Sequence, residues 1–197
     1  SAASDVYNRQ DYYYVKFFDS DNGVIVCGYA KSNDTNESSR IYSTSNGGES
    51  WDIVGSGPAT NIIKGVVYVS SDVGFFCYDY VEGMDSNLYK TDDGGKTFAK
   101  VMLEEQELDS SAANPQGQET ETKTDSGKNG ADSSEQLRWG DVYKEALTPV
   151  VDSTGIITIY LTQGKNAVYN DGKTAAKYQS SDKGSTWKYI GQVEIKD

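Results

Sequence analysis

Three stretches of the chain gather acids, hydroxyls and glycine at one fixed spacing: TSNGGESW (44–51), TDDGGKTF (91–98) and SSDKGSTW (180–187). Each has a hydroxyl first, Asp or Asn third, Gly fifth, a hydroxyl seventh and a large aromatic last. Such a loop has three kinds of chemistry open to it. Its carboxylate could hold a cation, its amides could cradle an anion, or the carboxylate could bond the loop's own amides and lock a turn. Recurrence favours the turn, because an active site is rarely built three times in one chain. Gly at the fifth position then takes a backbone conformation closed to other residues, and the aromatic packs inward.

The remaining chemistry is thin. Histidine is absent, which removes imidazole bases, His-dependent triads and most zinc sites. DSDNG (19–23) starts like a calcium loop, but its fifth position is Gly and Ala30 stands where a bidentate Glu belongs, so it reads as a hairpin turn. Cys27 and Cys77 have no CxxC spacing, and the pattern allows them either to face one another across a sheet interface or to point apart. Arg138-Trp139 sets a cation beside an aromatic at the end of a solvated tract. The pair is a candidate partner contact, with Trp139 alternatively tacking that tract onto the core. No cofactor or metal site is expected.

The net charge of -12 disfavours nucleic acid and anionic membrane surfaces, both of which select a basic footprint. No apolar run is long enough to span a bilayer, and SAASDVY lacks the regions of an export signal, so an exported chain would already have lost it. Fifteen tyrosines, 20 glycines and only two methionines are a composition of strands and tight turns.

The elements that hold the motifs also repeat. Upstream of each lies a strand, a polar turn ending in Gly and a second strand: VKFFDSDNGVIVCGYA (15–30), VVYVSSDVGFFCYDYV (66–81) and PVVDSTGIITIYLTQ (149–163). Gly23, Gly74 and Gly155 are expected to supply a positive φ there. A third strand enters each motif and a fourth leaves it. The second strands are apolar on both faces, as in Phe75, Cys77 against Phe76, Tyr78, so each sheet is sandwiched between others. From Trp51 to Phe98 is 47 residues (98 − 51), a period that suits propeller blades. From Phe98 to Trp187 is 89 residues (187 − 98), and the excess lies in an acidic tract between Leu103 and Gln136 without one aromatic or β-branched aliphatic residue.

The eight-residue motif resembles the Asp box, or BNR repeat, of sialidases, sortilin-type receptors and the photosystem II stability and assembly factor group. Thr91, Asp93, Gly95, Thr97 and Phe98 match its consensus, as do Ser180, Asp182, Gly184, Thr186 and Trp187. The first copy keeps Thr44, Gly48 and Trp51 but has Asn46 for Asp and Ser50 for Thr. The resemblance implies an all-β, propeller-like fold and says little of activity, since the box is a scaffold shared by proteins of unrelated function. Sialidase chemistry would further imply an arginine triad and an Arg-Ile-Pro signature. The chain holds only Arg9, Arg40 and Arg138, and Arg40-Ile41 is followed by Tyr42.

The expectation is one repeat domain of three four-stranded antiparallel blades, half or a fragment of a propeller. Blade one spans about 12–55, blade two about 62–102, the acidic insertion about 103–141 and blade three about 142–195. The expected function is a non-catalytic, extracytoplasmic binding or assembly module from a bacterial surface, secreted or anchored, with a glycan as one candidate ligand. The competing expectation is a sialidase-like glycoside hydrolase completed by further blades or another chain. Three blades cannot close a ring, so a homodimer or another protein chain is the expected partner.

Overall fold

A computed structural model describes residues 12–30, 37–108, 138–164 and 169–195. The chain is almost all β, in three antiparallel sheets that follow one another along the sequence. The first holds β1 (Tyr12–Phe17), β2 (Gly23–Ala30), β3 (Glu37–Thr44) and β4 (Asp52–Ser56) in sequential order. The second repeats the order with β5 (Ile63–Tyr68), β6 (Gly74–Tyr78), β7 (Leu88–Thr91) and β8 (Ala99–Lys100). A single helical turn, α1 (Trp139–Val142), precedes the third sheet. That sheet has five strands: the path β10 (Val150–Val151), β11 (Ile157–Thr162), β12 (Thr174–Ser180), β13 (Lys188–Glu194), with β9 (Glu145–Ala146) added against the far end of β11. The architecture is propeller-like, and each sheet is a blade.

Blade two is buried on both sides because it is the middle layer. Phe76 and Tyr78 join Val24, Val26 and Ile41 of blade one in one apolar cluster, while Phe75 and Cys77 join Ile157 and Ile159 of blade three in another. All of β6 is buried, which is why its sequence shows no polar alternation. Cys27 and Cys77 therefore point apart: Cys77 faces blade three, whereas Cys27 lies on the face of β2 opposite Val24 and Val26. No disulfide joins them.

The hairpin glycines divide into two kinds. Gly155 has φ +85° as expected, but Gly23 and Gly74 are not in the left-handed region. They are glycine for space. A Cβ at Gly23 would lie 2.9 Å from the Phe17 ring, and one at Gly74 would lie 2.8 Å from the Tyr68 ring, so each aromatic packs flat over the glycine paired with it.

The ends of the acidic insertion are packed. Leu103 and Leu108 on the way in, and Trp139, Val142 and Tyr143 on the way out, form a third cluster with Tyr169, Ala176 and Tyr178 against blade three. The Tyr178 hydroxyl donates to the Glu104 carbonyl at 2.6 Å. The middle of the tract, 109–137, lies outside the described residues. Replacing 109–137 with a short Gly-Ser linker is expected to leave the melting temperature nearly unchanged, since loop-closure entropy varies slowly with length. Extending the deletion back through Leu103 is expected to lower it by several degrees, because Leu103, Leu108 and the Tyr178 bond go with it; differential scanning fluorimetry reads both.

Candidate functional site

Each eight-residue motif closes on itself. Asp93 Oδ1 accepts from the Thr91 hydroxyl at 2.8 Å and from the amides of Lys96 and Thr97 at 3.0 and 2.9 Å, and Oδ2 accepts from the Thr97 hydroxyl at 2.6 Å. Asp182 repeats the set with Ser180, Ser185 and Thr186 at 2.7, 3.1 and 2.9 Å, and the Thr186 hydroxyl at 2.6 Å. The first hydroxyl also accepts the amide of Gly95, Gly184 or, in the first motif, Gly48. These donors hold both aspartates far below the usual carboxylate range, the threonine hydroxyl contributing most in each.

Asn46 performs the same task as an amide. Its Oδ1 accepts from the Thr44 hydroxyl and the Ser50 amide, and its Nδ2 donates to Ser50 Oγ at 2.8 Å, so the hydroxyl reverses its direction. Asn is thus an isosteric solution to the turn. Asp93→Ala is expected to lower the melting temperature by about 2 to 6 °C, as loss of a helix cap does, whereas Asp93→Asn should cost much less. An Asp93→Ala protein that melts like the parent but has lost a ligand would contradict the structural role.

Trp51, Phe98 and Trp187 complete the motifs by edge-on packing against Phe17 at 5.9 Å, Phe76 at 4.9 Å and Phe75 at 6.0 Å. Among the described residues, no group of three or more acids or cysteines could hold a metal ion.

A cleft of about 420 Å³ lies between blades two and three. Three segments form it: the β6–β7 connection from Tyr80 to Asn87, the start of the insertion at Val101 to Glu105, and the return from Arg138 to Ala146. Val101, Ala146 and Leu161 make an apolar floor, and the half-buried Tyr80 contributes an aromatic ring, while the ring of Tyr143 is buried against Trp139 and Tyr169. Around these stand Glu82, Asp85, Glu105 and Asp141 against Arg138 and Lys144, so acids outnumber cations. Arg138 bonds Asp141 at 2.9 Å, and Lys144 crosses from blade three to Glu82 at 2.9 Å. Bonds from Lys100 and Arg138 draw the Asp85 and Asp141 carboxyls down from their ordinary values.

The sequence paired Arg138 with Trp139, and the structure gives them different places. Arg138 is exposed at the cleft rim. Trp139 is 4% exposed and turned inward, with ring centroids 4.7 Å from Tyr143 and 5.3 Å from Tyr189.

Sequence reasoning missed Asn87, which fixes the cleft's inner wall. Buried at 1% exposure, it accepts the Ala146 amide at 2.8 Å and donates to the carbonyls of Ala146 and Tyr78 at 2.9 and 2.8 Å. One side chain thereby splices β9 onto blade two. Its only signal was an Asn in a Gly/Asp/Ser-rich loop, where Asn ordinarily serves the local turn. A smaller hollow of about 250 Å³ lies between blades one and two, bordered by Asn22, Asp52, Asp93 and Lys96.

No protein-family model matches the chain, and no curated protein matches it. Among solved structures, oligogalacturonate lyase in complex with manganese is similar over 88% of this chain, with a TM-score of 0.47 and 9% identity. The chain spans 39% of that structure's chain.

Proposed function

We propose that the chain is a non-catalytic, extracytoplasmic binding module built on Asp-box blades, and that its ligand is a neutral glycan held in the cleft between blades two and three. The cleft is the observation that carries this reading. It is open and of ligand size, with the half-buried Tyr80 ring to stack on a sugar face and charged groups to bond hydroxyls. Its excess of carboxylates disfavours uronate or sialate ligands. The box residues support a scaffold role, since their polar atoms are consumed by the turns.

Hydrolysis fits the cleft less well. A glycoside hydrolase needs one carboxyl that keeps its proton near neutral pH. Two of the cleft's four acids, Asp85 and Asp141, do not fill that role, since the bonds from Lys100 and Arg138 favour their ionised forms. Titration calorimetry against neutral oligosaccharides picked from a glycan array is the test. Tyr80→Ala and Asp141→Ala are each expected to weaken binding about tenfold, the loss of one stacking or charge-assisted contact. Failure of every neutral glycan to bind, or binding indifferent to both substitutions, would refute the assignment.

A further inference from the structure

Successive blades meet by a fixed rule. Counting from the hairpin glycine, odd positions of a second strand face the next blade and even positions face the previous one: Val24 and Val26 of blade one meet Phe76 and Tyr78 of blade two, and Phe75 and Cys77 of blade two meet Ile157 and Ile159 of blade three. Among the described residues, blade one's "previous" face and blade three's "next" face are therefore unfilled. They are the two halves of one repeating interface.

Equivalent residues show what is missing. Phe17 stands opposite Gly23 as Tyr68 stands opposite Gly74. Blade one covers Tyr68, whose amide donates to the Tyr14 hydroxyl, and it is 0% exposed. Phe17 is 44% exposed, with Val15 at 56% and Ile53 at 62% on the same face. The box glycines agree. A Cβ at Gly95 would meet Ile41 of the preceding blade at 2.8 Å, and one at Gly184 would meet Phe75 at 2.5 Å. At Gly48 the nearest atoms belong to blade one's own Phe17 and Trp51, at 3.4 and 3.5 Å. At the other end, Val26 and Cys77 are 0% and 1% exposed where blade three has half-buried Thr158, and Val150 on that face is 58% exposed.

We propose that two copies of this chain close head to tail into a six-bladed ring, the blade-three face of each seated on the blade-one face of the other. A twofold axis fills both open faces at once and brings the blade number into the range of about four to eight at which propellers close.

Light scattering of the full chain at micromolar concentration is expected to give twice the chain mass of 21.5 kDa. Ile53→Arg should halve that mass while leaving the β-type circular dichroism unchanged. The internal interface also supplies a cross-link. Ser39 Oγ lies 3.4 Å from Tyr78 Oη, and the equivalent positions at the open ends are Lys177 and Cys27. A Lys177→Cys protein treated with a short bismaleimide should form a covalent dimer through Cys27, and Lys177→Cys with Cys27→Ser should not. A monomer at these concentrations, a filament or larger ring, or a dimer that survives Ile53→Arg and resists this cross-link would overturn the proposal.

Discussion

Phe75→Ala and Phe76→Ala are each expected to destabilise the protein by about 3–5 kcal/mol, the usual cost of truncating a buried phenylalanine whose cavity cannot collapse. Both rings are fully buried and sit back to back on the two faces of β6. Phe76 packs edge-on against Phe98 at 4.9 Å and Tyr68 at 5.9 Å, tying blade two to its own box and forming the cluster shared with blade one. Phe75 packs on Trp187 and over Gly184 of blade three. Loss of either ring opens one interface and spares the other. Urea titrations should show the midpoint falling in both variants, and because such a loss is a large share of a typical domain's stability, each protein is expected to be partly unfolded at 37 °C.

Asn87→Ala is expected to cost about 2–4 kcal/mol, although it removes little apolar surface. The alanine would strand the buried amide of Ala146 and remove a donor from two carbonyls, and each orphaned buried group costs about 1–3 kcal/mol. Asn87→Asp should be no remedy, since a carboxylate can accept the amide but would face two carbonyls where the Asn nitrogen donates. Equilibrium denaturation checks both, and near-parental stability of Asn87→Ala would show that β9 is not held by this residue.

Much of the architecture could be read from the chain because it is written three times. The spacing of Asp93, Gly95 and Phe98 recurs at Asp182, Gly184 and Trp187, and that repetition by itself favours a turn over a site. The two-sided apolar pattern of Phe75 to Tyr78 announced a layer packed on both faces. What lay outside the repeat was harder. Gly23 and Gly74 share their place with Gly155, yet they serve an aromatic ring rather than a positive φ, a distinction that depends on a side chain six residues earlier. Asn87 acts on Ala146, 59 residues away, and periodicity carries no information about such pairs. The cleft was illegible for the same reason: its walls come from three irregular segments, and Arg138 and Trp139, adjacent in sequence, turn to opposite sides of the surface.

The claim that the repeated acids are scaffold is tested most directly by melting the protein across acidic pH beside an Asp93→Asn, Asp182→Asn double variant. Both carboxyls are depressed in the folded state, so the unfolded chain binds more protons as pH falls. Their contribution is complete above the unfolded value of about 4 and is lost as pH falls below it toward the folded values. The wild type should therefore lose melting temperature steeply below about pH 4, and the double variant, whose amides do not titrate, should lose less over the same interval. Curves that run parallel from neutral pH to pH 2 would contradict the account, for the two aspartates would then be contributing nothing to the fold.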